Sequence, residues 1–114
     1  HGPMTEYSMQ AKLITEFIGT FFLTLTICTA AAFGTAGSYA PFAIASTLMV
    51  MIYAGGHVSG AHYNPAVTIS VYLRGACERS EVVPFIASQL AAAVMAAIIS
   101  SCVCILMGAA LPSN

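Results

Sequence analysis

The sequence predicts an all-α membrane protein with three transmembrane helices and one re-entrant half-helix. Three observations carry this prediction. Of 114 residues, 59% are apolar and only 6% are charged. A soluble domain carries about a quarter charged residues, so these side chains are too few to cover a surface facing water. Second, three apolar stretches reach or approach the ~20 residues with which a helix crosses a ~30 Å hydrocarbon core. Third, the segment GHVSGAHYNPAVTI (56–69) between the second and third stretches is too rich in glycine for a helix and too poor in charge for an exposed loop.

The opening HGP (1–3) reads as the remnant of a cleaved tag before Met4, and residues 4–114 as a single module. No cleavable signal peptide is expected, because the first apolar stretch is too long for one and contains Glu16. That stretch gives a first span over about 11–33. GTAGSY (34–39) is the turn after it, and a second span follows over about 40–55. The third span runs over about 82–110, after the polar connection RGACERSE (74–81). Within it Ser88, Ala92, Ala96, Ser100, Cys104 and Gly108 recur every four residues. Such a stripe of small side chains lets helices approach closely in lipid.

Residues 56–74 remain. Pro65 suits the first position of a helix, where its missing N–H has no intrahelical partner, and Asn64 is a preferred N-cap. The helix has room only to about Arg74, some 15 Å at ~1.5 Å per residue, half the hydrocarbon thickness. An extended segment descending into the membrane and a half-helix returning from it satisfy these constraints. With that arrangement Lys12, Arg74 and Arg79, every Lys and Arg of the chain, fall on one face. By the positive-inside rule that face, with the N-terminus, is cytoplasmic.

An unpaired backbone group in hydrocarbon costs several kcal/mol, so a non-helical stretch at that depth must be satisfied by protein or line a wet passage. Gly60 and Ala61 have little side chain to obstruct a ladder of carbonyls. Asn64, capping Ala66 or Val67 through its oxygen, keeps an NH₂ group to donate. The positive end of the half-helix dipole adds a barrier to cations and protons. This pattern admits neutral hydrogen-bonding molecules. The sequence carries no nucleophile, acid–base pair or phosphate loop, and neither an enzyme, a cofactor nor a nucleic-acid partner is expected. The four cysteines (Cys28, Cys77, Cys102, Cys104) read as packing residues. Metal handling through His57 and His62 is a competing reading without an accompanying acid or cysteine. For Glu16 the alternatives are a proton relay, as intramembrane acids often are, or pairing with backbone N–H groups.

GHVSGAHYNPAVT resembles the first signature of the aquaporin and aquaglyceroporin (major intrinsic protein) family. TEFIGTFFL, MVMIYAGG and SQLAAA resemble its first three helices. The resemblance implies half of an aquaporin-like fold and a passive channel for water or small neutral solutes such as glycerol. It gives Asn64 the donor role at the pore centre and the carbonyls of Gly60, Ala61 and His62 a ladder at the mouth. Val67 and Ile44 join the pore lining, and Ile44 stands where the family often has an aromatic filter residue. Glu16, His57, Pro65, Ala66 and Gln89 are expected to support the re-entrant backbone. The family's second Asn-Pro-Ala motif and filter arginine are absent. One half cannot enclose a pore, so the chain is expected to be a fragment of a two-half channel lacking its C-terminal half, or to pair with an inverted copy or higher homo-oligomer, or with a complementary second-half chain in the bilayer. The alternative is a non-conducting membrane module that associates through its small-residue faces.

Overall fold

The computed structural model describes residues 7–110, with the side chains of 109 and 110 excepted; the expected tag remnant at 1–3 lies outside them. Helix α1 (Met9–Thr26) starts at Ser8, whose side chain accepts from the Ala11 N–H. Its continuation, Ile27–Ala32, is π-helical, a widening the sequence reading did not anticipate. Thr29 and Thr35 hydroxyls take up carbonyls of this loosened turn, donating to Leu25 O at 2.8 Å and to Thr29 O at 2.7 Å. A 3₁₀ turn over Gly37–Tyr39 leads into α2 (Ala40–Ser59), followed by the short α3 (Pro65–Leu73) and the long α4 (Arg79–Ala110). Three segments, Met9–Ala32, Gly37–Ser59 and Arg79–Gly108, are long and apolar enough to cross a membrane. The protein is an integral membrane protein, and its described residues form three spans and one short helix that does not span.

The second span is longer than the sequence reading allowed. Helix α2 continues through Gly55, Gly56, His57, Val58 and Ser59, and the extended segment begins only at Gly60. Each glycine inside a helix costs about 1 kcal/mol against alanine. That is less than the several kcal/mol of an unpaired backbone group in hydrocarbon. The helix therefore persists until Gly60, which adopts the left-handed conformation (φ 90°) and donates its N–H to Gly56 O at 3.0 Å. This is a position only glycine takes without strain.

Helix α1 packs against both α2 and α4, and α3 packs on α4. The small-residue stripe of α4 is spent on α1. Ala92, Ala96 and Ser100 are buried, and Ser88 donates to Leu13 O at 2.8 Å across the interface. Cys104 and Gly108, the last two positions of the stripe, are exposed. At the other end Lys12 and Glu81 pair at 2.7 Å and tie the start of α1 to the start of α4. Lys12, Arg74 and Arg79 thus share one end of the bundle.

Candidate functional site

The chain between α2 and α3 is a five-residue segment outside helix and strand, Gly60 to Asn64, with an unusual backbone. Ala61 (φ 55°) and Tyr63 (φ 58°) join Gly60 in the left-handed region, at a cost of about 1–2 kcal/mol for each non-glycine residue. Such a conformation persists only where its surroundings over-determine it. Here they do, because every N–H of residues 60–63 is held. Gly60 bonds to the end of α2, and Ala61 donates to Ser59 Oγ at 3.2 Å. His62 donates to Glu16 Oε2 at 3.0 Å, and Tyr63 to Glu16 Oε1 at 2.7 Å. The carbonyls of residues 60–63 accept no hydrogen bond from any described residue.

Glu16 is fully buried on α1 and uses both oxygens twice. Besides the two backbone groups, Ser59 Oγ donates to Oε2 at 2.7 Å and Gln89 Nε2 to Oε1 at 2.8 Å. A carboxylate is acceptor-only, so one side chain on α1 collects donors from α2, the extended segment and α4. Tyr63, 3% exposed, fills the space between α1 and α2 and donates its hydroxyl to Met51 O at 2.6 Å. It fits because Gly19 and Gly55 face it; a Cβ on either would overlap the Tyr63 side chain.

Gln89, fully buried, donates from the same Nε2 to Thr68 Oγ1 at 2.9 Å, and Thr68 Oγ1 in turn lies 3.0 Å from His62 Nδ1. The His62 ring packs against Phe85, centroids 5.1 Å apart. Its open side contributes to a polar cleft of ≈ 520 Å³, which Lys12, Ser59, Gly60, Cys77 and Glu81 also line. In the connection bordering this cleft, burial and then the Glu81 carboxylate push the Cys77 thiol up. Gln89→Leu would keep the packed volume but remove two donations. Its destabilisation, about 1–3 kcal/mol for the two buried donations lost, is expected as a lower thermal midpoint in detergent. An unchanged midpoint would mean that the amide adds nothing.

At the far end of the segment, Asn64 is an exposed N-cap. Its Oδ1 accepts the Ala66 N–H at 2.7 Å, and its Nδ2 has no partner among the described residues. The Asn-Pro turn and the short α3 that follows it lie within residues 3–111, which match the family described as Major intrinsic protein. The chain belongs to the major intrinsic protein family.

It is 38% identical to Aquaporin Z of Photorhabdus laumondii subsp. laumondii over 78% of its own length and 42% of that protein's. It is 39% identical to Aquaporin NIP1-2 of Arabidopsis thaliana over 75% of this chain and 31% of that one. Against Aquaporin NIP1-3 of Oryza sativa subsp. japonica, the identity is 39% over 78% and 33%. No solved structure matches the chain. The chain thus spans less than half the length of these curated relatives. Its three spans and its Asn-Pro-Ala motif are consistent with half of an aquaporin-type fold.

The structure brings Glu16, Gln89 and the backbone of His62 into one buried network, and puts Gly60 and His62 on one cleft. Pro65, Ala66 and Val67 form the first turn of α3, with Ala66 and Val67 exposed. Ile44 lies half-buried in the second turn of α2, away from that cleft. His57, expected to hold the loop, sits in the last turn of α2 itself. It is exposed, packs edge-on against Tyr7, and has no hydrogen-bond partner among the described residues. Nor do His57 and His62 join a third ligand; no group of three metal-binding side chains occurs among the described residues. Sequence reasoning missed Ser59, Tyr63 and Thr68. The signal for Tyr63 was available as a large side chain beside Asn64 with Gly19 and Gly55 elsewhere, but nothing local links those three positions.

Proposed function

We propose that this module lines a transmembrane passage for water or small neutral solutes such as glycerol. A second half, an inverted copy or a complementary chain, would close the pore. The observation that carries this reading is the division of labour along Gly60–Asn64. The N–H groups of 60–63 are consumed by the protein, while the carbonyls of 60–63 and the Asn64 amide group are left for another partner. A row of acceptors ending at a fixed donor beside a helix N-terminus suits a molecule that both donates and accepts, and it opposes the passage of cations.

The end carrying Lys12, Arg74 and Arg79 would be cytoplasmic, with the N-terminus. The names of the aquaporin relatives point to the same class of channel. The reading of a non-conducting scaffold loses its motivating surface, because α1 already covers most of the small-residue stripe of α4.

The test is stopped-flow shrinkage of liposomes holding the chain, with insertion confirmed. Faster shrinkage than empty vesicles is expected, and equal rates would refute conduction by this chain. The Asn64→Asp variant should retain the cap acceptor, lose the donor and admit cations. Cation exclusion unchanged from the parent would remove Asn64 from its assigned role.

A further inference from the structure

The buried side chains behind His62 fix where its ring proton sits. Glu16 only accepts, so Gln89 must turn its NH₂ toward it, and the 2.8 Å contact sets the orientation of that amide. The second proton of Nε2 then points at Thr68 Oγ1, 2.9 Å away, and makes that hydroxyl an acceptor. A threonine hydroxyl has a single proton to give. Thr15 and Thr29 each donate theirs to the carbonyl four residues back. Thr68, fully buried, makes no such bond, and the acceptor within reach is His62 Nδ1 at 3.0 Å.

We infer that Thr68 and Gln89 are positioning residues that hold His62 in the tautomer protonated on Nε2, so that the ring presents an N–H donor to the mouth cleft. The opposite tautomer would aim an Nδ1–H at Thr68 and strand the buried threonine proton, at a cost of the order of a lost hydrogen bond. His62 Nε2 lies beside Gly60, on the wall of the cleft, and has no hydrogen-bond partner among the described residues. The donor thus stands beside Gly60, at the start of the segment whose carbonyls are left unpaired. A water or hydroxylated solute arriving there meets a donor and acceptors together. This use of the donor rests on the channel reading, whereas the tautomer itself does not.

Solid-state NMR of the full chain in liposomes, with ¹⁵N-labelled histidine and the His62 signal identified by its loss in His62→Gln, reads the tautomer directly. At pH about 8, above the ordinary imidazole value of about 6.5, wild type and Thr68→Ser should give protonated Nε2 and bare Nδ1. Thr68→Val should lose that single state and show both tautomers. Protonated Nδ1 in the wild type, or a Thr68→Val spectrum identical to wild type, would overturn the assignment. The resonance is read whether or not the vesicles conduct, so failure of the channel reading and failure of the tautomer assignment are separate results.

Discussion

Gly19→Ala is expected to destabilise the protein, against the sign that helix propensity alone dictates. In an ordinary helix interior the change would gain about 1 kcal/mol. Here the new methyl would occupy the space of the Tyr63 ring, which Gly19 and Gly55 contact from two helices. The ring has no free direction to move: it is 3% exposed, its hydroxyl is bonded to Met51 O, and its backbone is held in a left-handed conformation by Glu16. Overpacking of this kind costs about 1–3 kcal/mol. It should appear as a lower thermal midpoint in detergent and as faster exchange of the Tyr63 amide. The decisive measurement is the double-mutant cycle with Tyr63→Ala. Tyr63→Ala by itself leaves a cavity, and cavities from aromatic side chains cost about 3–5 kcal/mol. In that background, however, Gly19→Ala should cost nothing or become favourable. If the Gly19→Ala penalty is the same with and without the ring, the contact is not its origin.

The Glu16→Gln variant is expected to release the extended segment. An amide offers one acceptor oxygen where the carboxylate offers two, and its NH₂ must face one pair of the present donors. Either choice sets it against a backbone N–H, that of His62 or that of Tyr63. The side-chain donors can adapt: Ser59 can rotate toward Gly55 O, 3.5 Å away, and Gln89 can turn over its amide, whose Oε1 is unpartnered. The backbone donor cannot adapt without leaving its conformation. Stranding it costs about 1–3 kcal/mol, and the left-handed residues at 61 and 63 then lose the bonds that offset their strain. Hydrogen exchange should quicken at His62 and Tyr63 while the amides in the middle of α4 stay protected. Water permeability of the liposomes should fall in parallel. Retained protection at both amides would show that Glu16 does not hold the segment.

Both expectations concern contacts between residues far apart in the chain, and that marks the boundary of what the sequence disclosed. Residues whose role depends on their immediate neighbours were legible. The three spans follow from apolar length, because a bilayer demands it of any helix that crosses. The Asn64 cap and the start of α3 at Pro65 follow from the missing proline N–H and the short side chain before it. Glu16 was conspicuous because an acid in such a stretch needs partners. Pairing with backbone N–H groups was among the expectations; which groups, and that Ser59 and Gln89 join them, was not legible. They come from positions 43, 46, 47 and 73 residues away, and no spacing rule connects them.

The same limit explains the misplaced end of the second span. Counted locally, Gly55 and Gly56 argue against a helix. In the folded protein Gly55 is a helical position kept bare for Tyr63, and the helix runs on to bring Ser59 to Glu16. The stripe on α4 announced a close helix contact but not that α1 would supply it. Composition and local chain geometry thus determined which segments are long and apolar enough to span and where the chain turns into α3, since these demands act on each segment independently. Only the tertiary structure decided how that turn is held, because hydrogen-bond partners and close packing are chosen by three-dimensional proximity.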